Sequence, residues 1–68
     1  MDENKRIVAD NITALRTAKK LTQSQLAEML NYSDKSVSKW ERGDSVPDVF
    51  VLKKIADIFG VTVDWLLV

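Results

Sequence analysis

Apolar residues recur at helical spacing along almost the whole chain, and no stretch alternates apolar and polar positions as a strand would. Val8, Ile12 and Leu15 predict a first helix from about Asn4 to Lys19. Lys19 and Lys20 suit its C-terminal end, where the helix dipole favours cations. Thr22 then fits an N-cap with Gln25 at the third helical position, a capping box, and Leu21 is placed to staple onto Leu26. This second helix should run to about Leu30. Ser33 caps a third, with Tyr32 placed to staple onto Val37, and Gly43 is its left-handed stop. After "GDSVP", Asp48 can cap a fourth helix whose Leu52, Ile55, Ala56 and Phe59 form one buried face, closed by Gly60. Thr62 can cap a short fifth, "VDWLL". The expected class is all-α, with five helices.

The second and third helices are joined by very few residues, so they must cross steeply. Ala27 is small where they would press together, and Val37 and Trp40 can face back onto Leu26 and Leu30. Asn31 sits at the turn, where the backbone often needs a positive φ that asparagine tolerates. Winding the third helix at about 100° per residue with Val37 inward puts Trp40, Glu41 and Ser33 on the inner side. Lys35, Lys39 and Arg42 then gather near the opposite pole, with Ser36 and Ser38 flanking them. Asp34 lies near the start of this helix, and two roles are open to it: complementing the dipole or touching a base.

Charge sharpens this picture. The formal net charge is zero, yet residues 16–43 hold six cations (Arg16, Lys19, Lys20, Lys35, Lys39 and Arg42) against Glu28, Asp34 and Glu41. The flanking stretches are net acidic. Screening beyond about 10 Å makes this local excess what a polyanion would meet. With no cysteine and no histidine, thiolate and imidazole metal sites and the commonest nucleophile and base are absent. No catalytic residue, metal or cofactor is expected, so an enzyme is not the reading. No run approaches transmembrane length, "MDENKR" is not a signal peptide, and the expected location is cytoplasmic, with no membrane partner. The chain is read as one domain, residues 1–68, either ending with its fifth helix or forming the N-terminal part of a longer regulator.

"LTQSQLAEML", "SVSKWERG", "VPD" and "GVTVDWLL", in this order, resemble the helix-turn-helix family of phage lambda and Cro-type repressors, often called the Xre family. The resemblance extends from "NITALR" to "VDWLL". It implies a compact lambda-repressor-like fold, with the third helix in the DNA major groove and the second crossing the backbone. It also implies roles by position. Gln23 matches a phosphate-contacting glutamine. Ser33, Asp34, Lys35, Ser36, Ser38 and Lys39 occupy positions that meet bases or nearby phosphates, and Arg42 one that approaches the backbone. Arg16 and Glu41 match a pair bridging the first helix to the third, with the arginine also near phosphate. Asn31 departs from the family's usual glycine, and lysines stand where several relatives carry glutamine, which leaves the target sequence open. The implied function is sequence-specific double-stranded DNA binding by a transcriptional regulator, with repression the expected sense and a homodimer the expected form on DNA, weak or absent in the isolated domain. The alternative is a protein-interaction module on the same fold, such as an antitoxin-like partner. There Trp65, Leu66, Leu67 and Val68 would be partner surface, whereas in the DNA-binding reading Trp65 closes the core.

Overall fold

The computed structural model describes residues 3–68. Five helices follow in order: α1 Glu3–Ala18, α2 Gln23–Leu30, α3 Asp34–Arg42, α4 Val49–Phe59 and α5 Val63–Leu66. No strand occurs among the described residues. None of these helices is long and apolar enough to cross a membrane.

Each of the last four helices starts at a side-chain cap. Thr22 and Gln25 form the complete capping box, each accepting the other's main-chain N–H. Ser33 accepts from Ser36 N, Asp48 from Val51 N and Thr62 from Trp65 N. Such a cap stabilises a helix by typically about 1 kcal/mol, which matters in a domain this small.

The helix ends are as local as the starts. Asn31, Gly43 and Gly60 are left-handed, with φ of 59°, 77° and 69°. Behind each, the next amide reaches back to close the last turn: Tyr32 N to Ala27 O, Asp44 N to Lys39 O and Val61 N to Ala56 O. A fourth stop of the same kind follows α1, where Lys20 takes φ 56° and Leu21 N donates to Arg16 O. The sequence gives no glycine or asparagine to announce it. A side chain in this conformation costs roughly 1–2 kcal/mol, partly offset in a glycine by its freer unfolded chain. Lys20→Gly is therefore expected to stabilise by about 0.5–1 kcal/mol and raise the melting temperature by roughly 2–8 °C. A thermal melt in which Lys20→Gly lies at or below the wild type would contradict the account.

The helices enclose one core of Val8, Ile12, Leu26, Ala27, Leu30, Val37, Trp40, Val51, Leu52, Ile55, Ala56, Phe59 and Leu66. Burying each of the larger aliphatic side chains contributes about 1.5–3 kcal/mol. Leu15, Leu21, Ile58, Val61 and Val63 pack around its edge. α3 lies chiefly against α2 and α1, and α5 touches α4 and α1. The inward set on α3 is therefore Val37 and Trp40, as its winding requires.

One expectation is corrected. Trp65 does not close the core: Leu66 fills that place, and Trp65 is 42% exposed. A helix of four residues has no repeat from which to read its inner side. Tyr32 is half exposed, and its ring meets that of Trp40 in a T-shaped arrangement, with centroids 5.4 Å apart at 63°, the geometry an aromatic quadrupole prefers.

Candidate nucleic-acid interface

The three-residue connection Asn31–Ser33 lets α3 reverse across α2, and the buried Val37 and Trp40 fix which side of α3 faces out. Lys35 and Lys39 lie one turn apart on that outer side. Both are exposed, and neither forms an ion pair with a described residue. Asp34 is exposed in the first turn, where its charge complements the dipole. The Ser33 and Ser36 hydroxyls meet at 3.2 Å while Ser33 also caps the helix.

The arginines differ from the lysines. Arg42 Nε lies 2.9 Å from Asp44 Oδ2 and its Nη1 donates to Ser38 Oγ at 3.1 Å. Both members of that ion pair are more than half exposed, so the pair is weak and easily exchanged. Arg16 is held far more firmly. Its Nε and Nη2 donate to the two carboxylate oxygens of Glu41 at 2.6 and 3.0 Å, and its Nη1 to Leu21 O at 2.6 Å. The side chains are only 16% and 6% exposed. Hydrogen bonding to Glu41 raises the Arg16 pKa above the usual arginine value, with burial pulling the other way. Gln23 Nε2 adds a third donor to Glu41, at 3.1 Å.

Glu41 is thus a hub joining the start of α2, the end of α1 and the inner side of α3. The bridge from Arg16 to Glu41 is in place. Gln23, expected at a phosphate, is brought into the same cluster and is partly exposed.

Two contacts have no signature in the sequence. Arg6 Nη2 donates to the main-chain carbonyl of Glu41 at 2.9 Å. Asn11 Nδ2 donates to the carbonyls of Trp65, Leu66 and Val68 at 3.3, 3.0 and 3.1 Å, tying α5 to α1. Both partners are main-chain oxygens remote in the chain, which spacing rules cannot register. The most exposed of the large apolar side chains away from the C-terminal end are Val49 and Phe50, at the start of α4, with Phe50 78% exposed. No cavity and no cluster of metal-ligating side chains occurs among the described residues.

The sequence model of the helix-turn-helix family matches residues 12–66. The HTH-type transcriptional activator BcrR of Enterococcus faecalis is 48% identical over 58 residues, which are 85% of this chain and 28% of that protein. The chain therefore spans little more than a quarter of that relative's length. Among solved structures, the P22 c2 repressor in complex with a synthetic operator superposes with a TM-score of 0.83 at 28% identity, covering 88% of this chain and 91% of that one. Hydroxypropylphosphonic acid epoxidase from S. wedmorenis superposes with a TM-score of 0.89 at 22% identity, over all of this chain and 36% of the enzyme, a likeness of fold alone.

Proposed function

The chain belongs to the helix-turn-helix family, and from that premise we propose that it is the sequence-specific DNA-binding domain of a transcriptional regulator, reading the major groove with α3. The observation that carries this is the contrast on one surface: Lys35 and Lys39 stand exposed on α3, with no ion pair to a described residue, while Arg16 is committed to Glu41 beneath them. Other exposed lysines occur in the chain; what sets Lys35 and Lys39 apart is that they share the outer side of the helix that this family lays in the major groove. Each phosphate neutralised by such a face releases counterions, so a local excess suffices where net charge is zero.

In this reading Lys35 and Lys39 meet base edges or nearby phosphates. Ser33, Ser36 and Ser38 line the approach, and Asp34 keeps both its roles. Gln23 and Arg42 hold phosphates, Arg42 by leaving the exposed Asp44 and Gln23 by releasing the Glu41 carboxylate, to which Arg16 still donates twice. Arg16 acts mainly from beneath. The operator bound by the P22 c2 repressor supports duplex DNA as the ligand, and the name of the activator supports regulation in either sense. A two-fold pair of chains would place two copies of α3 about 34–36 Å apart. Val49 and Phe50, and at the C-terminal end Trp65, Leu67 and Val68, are the exposed apolar side chains available to such a pair. Association has to offset the lost freedom of two separate chains, which a duplex carrying two half-sites does for them, so pairing is expected on DNA and weak without it.

Duplex selection from a random pool, followed by gel shift at physiological salt and footprinting, tests this. A selected duplex should bind at least about a thousandfold more tightly than random sequence. Its footprint should show two related half-sites. Equal binding to all duplexes would reject sequence reading, and a single asymmetric half-site at saturation would reject the pair.

A further inference from the structure

The last carbonyls of a helix lack partners inside it. At the end of α3, those of Lys39 and Trp40 receive the amides of Asp44 and Gly43. That of Glu41 receives instead the Arg6 guanidinium, from 35 residues upstream. Asp10, one turn further along α1, adds only an exposed charge contact, its Oδ1 3.2 Å from Arg6 Nε without the geometry of a hydrogen bond. Glu41 is therefore gripped by α1 twice, by Arg16 at its carboxylate and by Arg6 at its main chain. The two arginines sit ten residues apart, about 15 Å along α1. Val37 and Trp40 seat the inner side of α3 in the core. The Arg6 grip, on the main chain itself, adds a fixed point at the C-terminal end of the helix, and its positive charge also suits the negative end of the helix dipole.

We infer that Arg6 is a positioning residue for α3, capping its C-terminal end from α1 and setting the angle at which Lys35 and Lys39 are presented. The inference rests on the DNA-binding reading for its consequence, though not for its geometry. Arg6 is bonded to α3 through the main chain of Glu41, on the side turned toward α1 and away from the lysines. It therefore acts on sequence reading through the posture of the helix and not through phosphate.

Arg6→Met and Arg6→Lys test this with two readouts at a temperature where every variant is folded. Residual dipolar couplings of the free protein report the orientation of α3 relative to α1. Titrations with a selected and a random duplex report sequence preference and its salt dependence. In Arg6→Met, α3 should turn against α1 and the preference for the selected duplex should fall about tenfold, the size of one weakened base contact. The salt slope should stay unchanged, and Arg6→Lys, which keeps a cationic donor for the carbonyl, should recover most of the loss. Unaltered couplings in Arg6→Met overturn the inference, as does an unaltered preference accompanied only by a lower melting temperature. A salt slope smaller by one overturns it too, because Arg6 would then be touching phosphate. If the wild-type chain prefers no duplex, the DNA reading fails separately, and the couplings alone decide whether Arg6 sets the posture of α3.

Discussion

Replacing Glu41 by alanine is expected to destabilise the fold by about 3 kcal/mol, at the low end of the range for breaking a buried ion pair. An exposed pair contributes only about 0–1 kcal/mol. The placement of Glu41 decides between the two cases. Its side chain is 6% exposed, and three side-chain donors, two from Arg16 and one from Gln23, converge on its carboxylate. Truncation leaves the Arg16 guanidinium, itself 16% exposed, without its counter-charge. In a domain of this size the loss corresponds to roughly 12–24 °C in melting temperature. It is also a large part of the roughly 3–10 kcal/mol that so short a chain can hold in total. The raised pKa of Arg16 adds a pH signature with a definite sign. A base whose folded pKa exceeds its unfolded one contributes stability that is complete below the unfolded value and lost only as pH rises through the folded one. The pair's contribution from Arg16 should therefore persist unchanged up to the ordinary arginine range. Thermal melts of Glu41→Ala, Arg16→Met and the double variant measure the coupling; a Glu41→Ala melt within 2 °C of wild type, roughly half a kcal/mol, would show that the pair is not structural.

The second large effect lies on the opposite side of α3. Lys39→Ala should weaken binding to the selected duplex by about 1–3 kcal/mol, with a smaller loss on random sequence. Lysine on the exposed face of a groove-reading helix favours guanine O6 and N7, so its removal should relax preference at one position. Arg42→Ala should behave differently. Its guanidinium must leave Asp44 to hold a phosphate, and both are exposed enough for that exchange to cost little. Arg42→Ala should then weaken both duplexes about equally and lower the salt slope by about one. Were Lys39→Ala to reduce selected and random affinity by the same factor, Lys39 would be a source of positive potential and not a reader of bases.

Much of the architecture could be read from short-range rules. The caps at Thr22, Ser33, Asp48 and Thr62, and the stops at Asn31, Gly43 and Gly60, depend on a few neighbouring residues, and all of them stand where local chemistry puts them. The outward placement of Lys35 and Lys39 followed from the helical repeat once Val37 was set inward. What stayed hidden depends on tertiary geometry. Lys20 takes a left-handed conformation against its own preference because the chain must turn into α2 there. Arg6 and Asn11 find carbonyls that any residue could supply, so no residue type marks their partners. Gln23 carries the expected position and, in the free protein, a partner the resemblance did not indicate.

The two tryptophans occupy opposite environments. Trp40 is buried in a T-shaped contact with Tyr32, directly ahead of Glu41, while Trp65, in α5, is nearly half open to solvent. An excited indole shifts its emission to longer wavelength as surrounding water relaxes about it, so Trp40 is expected to emit to the blue of Trp65. A collisional quencher reaches Trp65 first and leaves the signal of Trp40. The protein thus carries an intrinsic optical probe beneath the helix that would read DNA, one that needs no label.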